Sequence, residues 1–231
     1  MRSPAWWYVL GGLALWFAAT LLSPAEVLAR PTITIVALGD STTAGSPGFH
    51  SPLESPPDGA DDPRSQYGYW ITQRHPEWRV LNKGVWGQRS DQMLARFDRD
   101  VVAESPDVVI ILAGVNDLYQ GIPVDAVKWQ LQQLYERAQF YNIPVVACTI
   151  LPYNEATAEA LTDMQQLNQW IQETAAKRGL AFCDTAAAVE NPQFPGLLRG
   201  TPDGLHPDVE GYRHIGEALT PVLERVLGAA S

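Results

Sequence analysis

The sequence predicts an α/β protein: a three-layer α/β/α sandwich around a central, mostly parallel five-stranded sheet. Two patterns carry that expectation, short apolar runs bounded by turn residues and amphipathic helical segments between them. A third observation is size, since 231 residues suit one well-buried domain and leave little room for a second.

The first run, TITIVAL (32–38), ends at Gly39, Asp40 and Ser41. Four more follow: RVLN (79–82), DVVIILAG (107–114), IPVVACTI (143–150) and LAFCD (180–184). Runs this short and this continuously apolar belong to strands buried on both faces. Between them Met93, Leu94, Phe97 and Val101 share a helical face, as do Val127, Leu131, Leu134 and Ala138. Leu161, Met164, Leu167, Ile171 and Ala175 form the next such face, and Gly179 is placed to stop that helix. The last helix starts near Asp208, a good N-cap, and turns Val209, Tyr212, Ile215, Leu219 and Val226 inward. Repeated β-then-α units imply right-handed crossovers, helices on both faces, and ligands bound beyond the carboxyl ends of the strands.

Composition excludes several functions. The formal net charge is −10 and no basic stripe offsets it, which argues against a nucleic-acid groove or an anionic membrane surface as partner. Cys148 and Cys183, each at the end of an expected strand, make no disulfide scaffold and read as buried free thiols, although neighbouring strands would let them pair. The N-terminus stands apart from the core. Arg2 precedes seventeen uncharged residues (6–22), and SPAEVLA (23–29) offers small residues at signal-cleavage spacing, so residues 1–29 are expected to direct export to the periplasm or the exterior. Two fates are open: cleavage after Ala25 or Ala29, or retention of 6–22 as a short membrane tether roughly 26 Å long. The expected domain is then 30–231.

One segment interrupts the alternation. Residues 46–66 contain Pro47, Pro52, Pro56, Pro57 and Pro63 and can be neither a helix nor a central strand. It reads as a surface insertion without consequence, or as a flap beside Ser41.

The residues that follow the apolar runs are the candidates for chemistry: GDS (39–41), NKGVWG (82–87), AGVND (113–117) and, before the last helix, DGLH (203–206). In these four blocks, in this order, the chain resembles the GDSL or SGNH hydrolases over almost all of 32–227. The resemblance implies the flavodoxin-like fold of that family and places its serine, glycine, asparagine and histidine at Ser41, Gly87, Asn116 and His206, with Asp203 as third triad member. It is greatest to the lysophospholipase and thioesterase members, which implies a small lipid or thioester substrate: a lysophospholipid, a short acyl ester or a thioester. No cofactor is expected.

The chemistry of the side chains agrees with those assignments. A serine hydroxyl needs a base, and an imidazole can take its proton and return it to a leaving group. Asp203, three residues before His206 in a turn flanked by Pro202 and Pro207, can hold the other ring nitrogen. Donors for an oxyanion would be the backbone N–H groups of Ser41 and Gly87 and the side-chain amide of Asn116. Asp40 and Asp117 read as supports, one for the nucleophile turn and the other capping a helix or bracing Asn116; Asn82 and Gly84 would shape the turn to Gly87, and Trp86 would line an acyl pocket or simply pack. There is no G-x-S-x-G elbow, no phosphate-binding glycine loop, and no metal-ligand spacing among His50, His75 and His214. The expected activity is ester hydrolysis through an acyl-enzyme on Ser41, with carbohydrate O-acetylesterase, cell-envelope O-acyltransferase and inactive binding module as rivals.

Overall fold

The computed structural model describes residues 33–228, so the expectations for 1–29 fall outside it. The elements in chain order are β1 (Ile33–Gly39), α1 (Ser41–Ala44), β2 (Phe49–His50), β3 (Ala60–Asp61), α2 (Tyr67–Arg74), β4 (Trp78–Gly84), α3 (Ser90–Asp100), β5 (Val108–Leu112) and α4 (Val115–Tyr119). There follow α5 (Val124–Phe140), β6 (Val145–Cys148), α6 (Ala158–Arg178), β7 (Ala181–Cys183), α7 (Thr185–Val189), β8 (Glu190–Asn191), β9 (Phe194–Leu198) and α8 (Val209–Gly228).

Five strands form the central sheet in the order β4-β1-β5-β6-β7, and every neighbouring pair is parallel. Side chains alternate across it. Val36, Leu38, Val109 and Ile111 pack with Met93 and Phe97 of α3, Leu131 and Leu134 of α5 and Leu167 and Ile171 of α6. Ile35, Ala37, Val108 and Ile110 face the other layer, against Tyr67 and Ile71 of α2 and Tyr212, Ile215 and Leu219 of α8. Both faces are covered, which is why the strands read as unbroken apolar runs. Gly179 ends α6 in the left-handed conformation, and Asp208 accepts from Gly211 N–H at 2.8 Å at the start of α8.

Because strands are added outward on both sides of β1, the order reverses between β1 and β5, and a crevice opens at their carboxyl ends. Ser41 follows β1 and Asn116 follows β5, so the two flank that crevice. Cys148 and Cys183 sit opposite one another on β6 and β7 as buried free thiols, and burial raises both, Cys183 to about 12. Among the described residues no helix is long and apolar enough to cross a membrane.

The insertion 46–66 is more than a surface loop. Beyond its β2–β3 ribbon and a short helical turn at Pro63–Ser65, it buries Ser46, Phe49, Ser51 and Ser65.

Candidate active site

Ser41 is the first residue of α1, immediately beyond β1, and is buried to 6 % exposure. Its turn is held locally, as Asp40 caps α1 by accepting from Thr42 N–H at 2.9 Å. The sheet end leaves no spare room, since a Cβ on Gly84 of β4 would lie 2.1 Å from the backbone nitrogen of Ala44. Asn82 completes the junction, taking Gly84 N–H at 2.9 Å and donating to Ala44 O at 3.1 Å.

His206 arrives from the loop before α8. Its Nε2 lies 2.9 Å from Ser41 Oγ, and its Nδ1 lies 2.7 Å from Asp203 Oδ2. The other carboxylate oxygen of Asp203 accepts the backbone N–H groups of Leu205 at 2.9 Å and His206 at 2.8 Å. Burial works to raise the Asp203 carboxyl, but the bonds from His206 and from these two amides outweigh it and hold the group below the usual carboxylate range. An ionised carboxylate only accepts, so Nδ1 carries a proton, and in the neutral ring Nε2 then presents its lone pair to the serine hydroxyl.

Gly87 and Asn116 line the same cleft as Ser41 and His206, a space of about 360 Å³. Gly87 is the third residue of a turn closed by Gln88 N–H to Val85 O and has φ +71, the left-handed geometry of a type II turn that glycine adopts without strain. Asn116 donates one amide hydrogen to Gln88 O at 3.1 Å, which leaves its second hydrogen for a ligand. Trp86, 70 % exposed, and the edge-stacked pair Tyr119 and Tyr153 form the cleft's aromatic rim.

Asp40 and Asp117 lie beside these groups without lining the cleft. Burial pushes the Asp40 carboxyl up to about 7, against the lowering effect of Thr42 N–H, and the Asp117 charge adds to the rise. Asp117 is likewise raised by burial; it accepts Ser90 N–H at 2.9 Å and Ser90 Oγ at 2.6 Å, and so caps α3 from a distance of 27 residues. His50, His75 and His214 lie outside the cleft and bond to other side chains, to Asp61, to Glu77 and Glu224, and to Arg213.

The model of the GDSL-like Lipase/Acylhydrolase family matches residues 37–214. The chain belongs to this family. It is accordingly an ester hydrolase with a small ester substrate, and its sheet is the fold shared by GDSL enzymes of known structure. An acetylxylan esterase of Geobacillus stearothermophilus is 30% identical over 156 residues, covering 61% of this chain and 70% of that protein. The uncharacterized lipoprotein YqeF of Bacillus subtilis is 28% identical over 135 residues, 54% of this chain and 51% of its own length. A GDSL-like lipase from Bacteroides thetaiotaomicron superposes with a TM-score of 0.69 at 24% identity, covering 87% of this chain and 94% of that one.

Among the residues around this GDSL hydrolase's cleft that sequence reasoning missed is a buried charge. Arg96, 5 % exposed, lies within α3 and donates to Gly39 O at 3.0 Å, to Asp100 at 2.9 Å and to Gln88 Oε1 at 2.6 Å. It ties the end of β1 to the turn of Gly87. The local signals for it were a charge set between Met93 and Phe97 beside the helix's apolar face, and Asp100 four residues on.

Proposed function

We propose that this hydrolase cleaves short acyl esters, with acetyl groups on a carbohydrate as the favoured class, through an acyl-enzyme on Ser41. The observation that carries the mechanism is the unbroken relay from Asp203 through His206 to Ser41 Oγ at 2.7 and 2.9 Å, opening into a cleft shared with Gly87 and Asn116. Ser41 Oγ attacks the acyl carbonyl carbon while its proton passes to His206 Nε2. The carbonyl oxygen becomes an oxyanion, which the N–H groups of Ser41 and Gly87 and the free amide hydrogen of Asn116 hold in place. As the intermediate collapses, His206 returns the proton to the leaving oxygen, and Asp203 stabilises the transient imidazolium. Water then repeats the sequence and releases the acid.

Two features favour a short acyl group on a polar leaving group. At about 360 Å³ the cleft is near the lower end of ligand pockets, roughly 300–1,000 Å³. Beside it runs a wider polar groove of about 820 Å³ that shares Tyr119, Tyr153 and Leu205 and is edged by Asp125, Glu159 and Asp163. Carboxylates there accept sugar hydroxyls and repel the phosphate of a lysophospholipid headgroup. The acetylxylan esterase relative points the same way. The test is a series of acetyl, butanoyl and octanoyl esters with acetylated xylo-oligosaccharides and lysophosphatidylcholine, and Ser41→Ala as control. Falling kcat/KM with chain length, and loss of activity in the control, are expected; faster turnover of octanoyl or lysophospholipid substrates would reverse the assignment. Analysis of products with added glycan acceptors distinguishes hydrolysis from acyl transfer.

Residues 1–29 are proposed to export the enzyme, in keeping with the lipoprotein relative. Those residues contain no cysteine to carry an acyl chain, so a tether would have to be 6–22 itself. Recovery of a soluble form starting near Glu26 or Arg30 would rule the tether out.

A further inference from the structure

The turn that carries Gly87 is loosely closed by its own backbone, with Gln88 N–H to Val85 O at 3.3 Å. The Trp86 ring, 70 % exposed, does not anchor it by burial. Besides Arg96 on the Gln88 side chain at 2.6 Å and Gln120 Nε2 on Gly87 O at 3.4 Å, support comes from the proline-rich segment. Glu54 Oε1 accepts Trp86 N–H at 2.6 Å, and its Oε2 accepts Ser51 N–H at 3.0 Å. Ser51, fully buried, in turn donates its hydroxyl to Gly84 O at 2.7 Å. Ser51 and Glu54 thus grip the turn at Gly84 and Trp86, while Asn116 donates to Gln88 O at 3.1 Å from the other side.

We infer that Glu54 is a positioning residue for the oxyanion site: its carboxylate fixes the Val85–Trp86 peptide, one before the peptide that carries the Gly87 N–H, so that this N–H faces the acyl oxygen. The inference rests on the Ser41 acyl-enzyme reading and assigns the insertion a part in turnover. Carboxylate-to-amide bonds are among the stronger neutral-donor bonds, and two of them from one side chain set both its ends. A displacement of about 1 Å at a reacting centre costs on the order of a hundredfold in rate. The sign of the effect separates position from charge. A negative charge near a developing oxyanion opposes turnover, so if Glu54 acted through its field alone, neutralising it would speed the enzyme.

The experiment measures kcat and KM for 4-nitrophenyl acetate on the full chain and on Glu54→Gln, Glu54→Ala, Asp58→Ala and Ser41→Ala, with thermal unfolding alongside. Glu54→Ala is expected to lower kcat by about ten- to a hundredfold with little change in KM. Glu54→Gln should fall between, because its amide oxygen can still accept Trp86 N–H while its NH₂ confronts Ser51 N–H, donor against donor. Asp58→Ala, an exposed change in the same segment, should match the parent. A Gln variant as fast as the parent, or a loss confined to KM, overturns the inference, and this variant decides the matter should the Ala variant not fold. Activity surviving in Ser41→Ala would instead overturn the acyl-enzyme reading beneath it.

Discussion

Asp40→Asn should change how stability depends on pH, by an amount that follows from the burial of this carboxyl. In the folded protein Asp40 holds its proton to about pH 7, against 3.8 for the ordinary group. Below the lower value both folded and unfolded chains are protonated and the group is neutral to folding. Between the two values the unfolded chain releases the proton and the folded chain keeps it, so stability falls as pH rises, and above about 7 the loss is complete. At about 1.4 kcal/mol per pH unit the total approaches roughly 4 kcal/mol. Asparagine removes the titration but keeps an acceptor for Thr42 N–H, the bond that caps α1 at 2.9 Å. Urea unfolding of both proteins between about pH 4 and pH 8 reads the effect, and subtracting one curve from the other cancels the remaining carboxyls. The variant should gain on the parent by up to about 4 kcal/mol across that range. A difference constant to within about 1 kcal/mol would refute the reasoning, because it would mean that Asp40 is solvated enough to ionise normally.

Asn116→Ala removes a proposed oxyanion donor and should lower kcat for acetyl esters by about a hundred- to a thousandfold, while costing only about 1 kcal/mol of stability for the bond to Gln88 O; a loss under tenfold would exclude that role. Asp203→Asn preserves shape but lets Nδ1 of His206 turn acceptor, so kcat should fall by on the order of 10⁴, read in the same assay against unchanged thermal unfolding. Gly84→Ala and Gly87→Ala should part company. The first drives a Cβ to 2.1 Å from Ala44 N and should lower the unfolding midpoint sharply, whereas the second meets nothing within 4 Å and should cost only about 1–2 kcal/mol for its left-handed φ.

Much of the fold was legible because its strands are buried on both sides and its helices bury one clean stripe. TITIVAL needed no partner to announce itself as a strand, and Gly179 marked its helix end through a local conformational need. The strands were read less well at their ends: β4 runs from Trp78 to Gly84 where only RVLN was expected, and β6 covers Val145–Cys148 rather than 143–150. Helix α2 was missed, since Tyr67, Gly68 and Ile71 are its only buried positions and it follows directly on the prolines. The β8–β9 ribbon, interrupted by Pro192 and Pro195, carried no alternation to read. Within the site, what could be read were the residues whose chemistry is local: Ser41 after its strand, and Asp203 with His206. What could not be read were partners chosen by tertiary contact. Asp117 was expected to cap a helix or brace Asn116, but nothing nearby said that the helix would be α3, and Arg96 reaches a carbonyl 57 residues away.

The site therefore divides into two units that are each rigid for local reasons and that must then be held at the right separation. One is the Ser41 turn, capped by Asp40 and wedged against Gly84. The other is the Asp203–His206 turn, in which one carboxylate binds the ring and two backbone amides. They lie 165 residues apart in the chain, and a hydrogen bond of 2.9 Å between Ser41 and His206 is too weak by itself to hold them. The fold supplies a second tie just outside the cleft. Tyr212, fully buried in the first turns of α8, donates its hydroxyl to Ser46 O at 2.7 Å, where the chain leaves α1. That bond joins the helix that follows His206 to the loop that follows Ser41. Because Tyr212 also packs against Ile35 and Ala37 in the sheet core, the spacing of the two units is set by the same close packing that stabilises the domain.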